Sequence, residues 1–229
     1  MSSTDDMGKA PTPLKRPTRL GDEVYNAIYG QLMSRQIPPG GRVSVDRMAR
    51  ELGVSQTPIR EALSRLEAQG LVVKTHLVGY SAAEQLDRAR LEQLYELRLL
   101  LEPFAAGRAA KAMSAEARAG LNKLAEEMRE TEQDPPAEAY RRFARLDSDF
   151  HDAIAQGSGN ELVHETLTNL HTHVHLFRLF YHARATSDAL EEHQGIIDAL
   201  TAGDAKAAEA AMRHHLERSR ERFIGAFER

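Results

Sequence analysis

The chain has no cysteine among its 229 residues. Disulfides, thiolate metal sites and cysteine nucleophiles are therefore excluded, and a cytoplasmic setting fits. No run of about 18 apolar residues occurs, so no transmembrane helix is expected. Residues 1–17 are polar and carry Pro11, Pro13 and Pro17. They lack the apolar stretch of a signal peptide and are expected to form a disordered arm. A strong net charge is missing too: the formal balance is −4. Divided, it has opposite signs. Residues 1–86 carry a small positive excess and residues 87–229 a negative one, as expected if only the first part meets nucleic acid. What is present is 41% hydrophobic content, enough for a packed core in one large domain or two small ones.

The most informative stretch is Gly53-Val54-Ser55-Gln56-Thr57-Pro58-Ile59-Arg60-Glu61-Ala62-Leu63. A helix over 45–52 runs into Gly53, which can take the positive φ that stops it. Ser55 or Thr57 can cap a second helix, and Pro58 suits its first turn. Ile59, Ala62, Leu63 and Leu66 repeat at helical spacing and face a core. Ser55, Gln56, Thr57 and Arg60 then lie at the exposed helix start. There a recognition helix meets phosphates and base edges. An ordinary capped surface helix has the same local pattern, so the neighbours decide.

Upstream, 20–35 forms an amphipathic helix with Val24, Ile28 and Leu32 on one face. Residues 37–41 make a turn, and Arg42-Val43-Ser44 a short extended piece. Downstream, Gly70 ends the helix, and 71–74 and 79–82 read as two strands. Lys74, His76 and the Gly79 turn place this wing near a DNA backbone. Three helices and a two-stranded wing make a winged helix-turn-helix over 18–83.

These residues resemble the DNA-binding domain of the GntR family of bacterial transcription regulators. Val54 to Leu63 match its V-S-(R/Q)-T-P-(V/I)-R-E-A-L pattern, followed by Leu66 and Gly70-Leu71-Val72. The resemblance implies that Ser55, Gln56, Thr57 and Arg60 contact double-stranded operator DNA, with Gly79 in the wing. Two departures stand out. The family often has arginine at the Gln56 position. It also often has an acidic residue at Val45 and a basic one at Asp46, so Arg42 or Arg47 is the expected source of that phosphate contact.

From Ala83 onward no strand pattern appears. Six helices are expected, near 86–113, 115–132, 136–156, 160–182, 186–202 and 204–227, forming an all-α bundle over 86–229. Nine of the ten histidines lie here. Asp147 and His151 are one turn apart on one helix face. His193 and His215 lie on or beside the apolar stripes of two other helices. One carboxylate and three imidazoles suit Zn²⁺, Ni²⁺ or Mn²⁺ with positions left for water or an anion. Scattered histidines are also common as satisfied core or surface residues.

This half resembles the FCD ligand-sensing domain, in the six-helix VanR-like branch of the FadR-type subfamily. The resemblance rests on Asp147 to His151, Gly159-Asn160, His193 to Ala199, and Gly203-Asp204 leading to Met212 and His215-Leu216. It implies Asp147, His151, His193 and His215 as metal ligands, with His214 as the alternative for the last. Arg98 matches a recurrent arginine that can grip a carboxylate bidentately; its other reading is an ion pair with Glu102 at i+4. Asn160, His171 and Arg178 are expected around the effector, with His173, His175 and Tyr181 beside them. The functional expectation is a homodimeric transcription regulator, a repressor, whose operator affinity follows a small organic acid bound at the metal. The alternatives are a regulator with a purely structural metal, and a metal-dependent hydrolase.

Overall fold

The computed structural model describes residues 18–172, 176, 186–225 and 227. The expected arm, together with His173, His175, Arg178 and Tyr181, lies outside the described residues.

The first half contains α1 (Thr18–Met33), β1 (Arg42–Val43), α2 (Val45–Leu52), α3 (Gln56–Ala68), β2 (Val72–Thr75) and β3 (Gly79–Ala82). Ser44 opens α2 by accepting from the Arg47 N–H at 3.3 Å. Gly53 closes it at φ 66°, its N–H bonded to the Ala49 carbonyl. Only a residue at ease with that left-handed φ can turn the chain so sharply into α3. The apolar face of α3 is fully buried: Ile59, Ala62, Leu63 and Leu66 pack with Val24, Ile28 and Leu32 of α1. The wing is antiparallel, with Val72 opposite Ala82 and Thr75 opposite Gly79. The expected two-stranded wing has a third member. Arg42 and Val43 pair with Ser81 and Tyr80, giving the order β1-β3-β2. The extended piece at Arg42-Val43 was expected, but two residues are too short for their pairing to show in sequence. The pairing instead comes from the preceding turn, where Gly41 accepts from the Ala82 N–H.

The second half contains α4 (Arg88–Ala112), α5 (Ala115–Glu130), a 3₁₀ turn (Thr131–Gln133), α6 (Pro136–Gly157), α7 (Glu161–Asn169), α8 (Thr186–Ala202) and α9 (Ala205–Ile224). Its breaks carry the expected chemistry. Ser114 accepts from the Ala117 N–H and Asp204 from the Ala207 N–H. A second core, centred on Leu121, Met128, Phe150, Ile196, Met212 and Leu216, joins α4, α5, α6, α8 and α9. One expected helix is cut. Within 160–182, α7 ends at Asn169 and His171 takes φ 48°, while Thr172 and Leu176 are again helical. That conformation is incompatible with a right-handed helix, and histidine enters it more readily than most residues. Among the described residues no helix is long and apolar enough to cross a membrane.

Candidate metal centre and nucleic-acid interface

Arg42, Ser55, Gln56, Thr57, Arg60, His76 and Gly79 are all exposed. Ser55 stands at the N-cap of α3, but its side chain makes no capping bond. The two departures from the family pattern meet here. Gln56 Nε2 donates to Asp46 at 2.6 Å, and Arg60 donates to Gln56 Oε1 at 3.2 Å. The Asp46 carboxylate thus holds Gln56, and Gln56 holds Arg60. Arg47 is paired with Glu51 at 3.5 Å.

In the bundle, α6 supplies Asp147 and His151, α8 His193 and α9 His215. One ligand atom from each lies within 4.8 Å of all the others. His193 is fully buried and His151 and His215 nearly so. Two further carboxylates stand behind the imidazoles. His151 Nδ1 is 2.6 Å from Glu102, and His215 Nδ1 is 2.8 Å from Glu192. An arginine anchors each carboxylate: Arg98 on Glu102, and Arg222 on Glu192 at 2.6 and 2.8 Å. Burial by itself raises the Glu102 carboxyl, but Arg98 and His151 pull it well below its ordinary range. Burial likewise opposes ionisation of Glu192, while Arg222 and His215 draw it down to about 2. Burial holds His151 below its usual value and pushes His215 down to about 3, so both imidazoles are neutral.

The donor set of the cluster suits a cation. An ionised carboxylate accepts, so each Nδ1 must be the protonated nitrogen. The Nε2 atoms of His151 and His215 are then bare lone pairs, and they face each other at 3.2 Å. Two acceptors that close repel unless something positive lies between them. His193 adds a third case. Neither of its buried ring nitrogens makes a hydrogen bond among the described residues, although Asp147 approaches Nε2 to 3.1 Å. That separation is close enough for an ion pair but lacks hydrogen-bond geometry. Three buried imidazoles, one carboxylate and two oriented outer carboxylates fit a divalent metal such as zinc.

The other expected effector residues lie differently. Arg98 is buried and turned to Glu102, the i+4 ion pair, so it stands behind His151 rather than at an opening. Asn160 caps α7, accepting from the Val163 N–H at 3.2 Å. His171 lines a cavity of about 880 Å³ between the two halves. Arg178 lies outside the described residues. Sequence reasoning missed the roles of Glu102, Glu192 and Arg222. No local spacing reveals them, because each acts on a residue of another helix; Glu192 adjoins His193 but serves His215.

A winged helix joined to a helical bundle with a buried donor cluster defines a DNA-binding transcription regulator rather than an enzyme. Residues 93–218 match the FCD domain and residues 20–80 the bacterial regulatory proteins of the gntR family. The chain therefore belongs to the GntR family, in the group carrying a C-terminal FCD domain. It is 32% identical over 213 residues to a probable D-xylose utilization operon transcriptional repressor of Paenarthrobacter nicotinovorans, covering 88% of each chain. It is 31% identical over 215 residues to the HTH-type transcriptional regulator LutR of Bacillus subtilis (strain 168), covering 84% of this chain and 96% of that one. Among solved structures, E. coli McbR/YncC shares the fold at TM-score 0.69 and 22% identity, over 91% of this chain and 98% of that one.

Proposed function

We propose that this regulator is a homodimeric repressor whose operator affinity is set by a small organic acid at a metal held in the bundle. Residues 18–83 form the DNA-binding unit and 86–229 the sensing unit. The carrying observation is the pair of Nε2 atoms 3.2 Å apart beside His193, whose ring nitrogens make no hydrogen bond among the described residues. Asp147, His151, His193 and His215 would hold Zn²⁺, Ni²⁺ or Mn²⁺. The ion would supply a Lewis-acidic centre with positions open to a carboxylate. Glu102 and Glu192 orient two of the imidazoles, and Arg98 and Arg222 fix those carboxylates. Repression is the activity that the name of the Paenarthrobacter relative carries. Dimerisation is supported by Leu100 and Phe104, one turn apart on α4 and 73% and 44% exposed. Two copies would set recognition helices in successive major grooves of a palindromic operator. The effector must favour one arrangement of the DNA-binding units, since equal affinity for both shifts nothing.

Metal analysis of the purified protein, then calorimetry of the metal-loaded form with a panel of organic acids, tests this reading. Binding of an acid that also shifts operator affinity supports it; indifference to every acid removes the sensing role. The complete burial of His193 favours a second reading, a purely structural metal. His193→Ala separates the two. Lost stability with unaltered operator binding means structure, and lost effector response alone means sensing.

A further inference from the structure

Asp46, Gln56 and Arg60 form a chain across the start of the recognition helix. Asp46 is the second residue of α2 and Gln56 the first of α3, ten positions on. Arg60 follows one turn later on α3. All three side chains are exposed, and among the described residues neither Asp46 nor Arg60 makes an ion pair. The two ends of the Gln56 amide differ only in chemistry, and its neighbours settle which end points where. A carboxylate accepts and cannot donate, so the NH2 group must face Asp46, at 2.6 Å. A guanidinium donates and cannot accept, so the carbonyl oxygen must face Arg60, at 3.2 Å. A flipped amide would turn both attractive contacts into repulsive ones.

Each neighbour takes half of the capacity of the group it meets. One N–H and one lone pair of Gln56 remain, in a fixed order, with the donor toward α2 and the acceptor toward Arg60. A donor beside an acceptor complements adenine, whose N7 accepts and whose N6 amino group donates in the major groove. Guanine shows two acceptors there, so its O6 would meet the Gln56 carbonyl oxygen. Arg60 keeps its other N–H donors for a neighbouring base or phosphate. Asp46 also acts on binding as a charge. It sets a carboxylate beside the helix start, where it lowers the attraction for any duplex, whatever its sequence. A purely structural role is distinguishable from both. An acid in the first turn of α2 suits the helix dipole, and losing it on that account alone weakens binding to every sequence alike.

We propose that Asp46 is a positioning residue for base readout: it sets the Gln56 amide to read an adenine in each operator half-site, while lowering sequence-independent affinity. The inference rests on α3 lying in the major groove, as proposed above. Selection from a randomised duplex pool by the full-length protein, repeated for each variant, gives the base preference at every operator position. Gln56→Ala should erase a preference for A·T at one position of each half-site and leave the others. Asp46→Ala should lower that same preference about fivefold or more, a part of what a bidentate contact supplies. It should also tighten binding to a random-sequence duplex at fixed salt. Asp46→Asn keeps an acceptor without the charge, so it should retain the preference and show the tighter random-sequence binding. If Gln56→Ala erases a G·C preference, or erases none while Arg60→Ala still alters one, the adenine assignment is overturned. An unchanged preference in Asp46→Ala overturns the positioning role, and so does a uniform loss of affinity across all sequences. If neither Gln56→Ala nor Arg60→Ala alters any preference, α3 is not the reading helix; the proposed docking falls, and this inference with it.

Discussion

Among the described residues between 18 and 83 no polar or charged side chain belongs to the buried set; from Arg98 onward that set includes Arg98, Glu102, His151, His193 and His215. The head is held by apolar packing, whose contribution grows with buried area and barely depends on which neighbour supplies it. The bundle also has a large apolar core, but through it runs a chain from buried Arg98 and Glu102 to His151, and from His215 to half-buried Glu192 and Arg222. Buried ion pairs of this kind are weak contributors to stability, because desolvation offsets most of the attraction. Their presence marks what the bundle is for. The head needs only a rigid surface that carries Ser55, Gln56, Thr57 and Arg60. The bundle needs an interior that can hold charge.

Four perturbations separate the two halves. The largest effect is expected from a chelator. Stripping an ion present at about a thousandfold over its Kd should remove about 4 kcal/mol from the bundle. Hydrogen exchange should then show α8 and α9 losing protection while α3 keeps it; unchanged protection on α8 would count against a metal there. Next, Leu63→Ala opens the fully buried face of α3 and should cost the head about 3 kcal/mol. Metal content should stay the same, and a parallel loss of metal would mean that the halves do not fold independently. Third, Glu102→Gln removes one orienting carboxylate and should weaken metal affinity by roughly 10- to 100-fold. Glu192→Gln, on the opposite side of the cluster, should do the same without unpairing Arg98; both variants should keep operator affinity at saturating metal. The smallest effect is expected from Gln56→Arg, which breaks the Asp46–Gln56–Arg60 chain. The preferred operator base should change, with discrimination altered by about 1 kcal/mol. A uniform gain across sequences would instead assign position 56 to backbone contact.

The contrast also explains what could be read without coordinates. The head is local. Gly53, Pro58 and the spacing of Ile59, Ala62, Leu63 and Leu66 each act within one or two turns, and the wing follows at once. Only the pairing of β1 escaped: Arg42-Val43 reads as extended, but its partner β3 lies far along the chain. The four cluster residues were also legible, since Asp147 and His151 share a helix face and the other two fall in recognisable surroundings. Their outer partners were not. Glu102 lies 49 residues from His151, and Arg222 lies 30 from Glu192. Such pairs are made by helix packing, which no spacing rule encodes. The break at His171 was hidden for a different reason. It lacks the glycine or proline that announces a turn, and its positive φ sits where its ring meets Gly70.

The two bare nitrogens facing each other at 3.2 Å have an electrostatic consequence. Arg98 balances Glu102 and Arg222 balances Glu192, so the two outer carboxylates add no net charge to the cluster. A divalent ion held there would add two positive charges to a buried site, which favours an incoming acid. The site would then work as a coincidence detector: the metal makes the pocket attractive to the acid, and by reciprocity the acid tightens the metal.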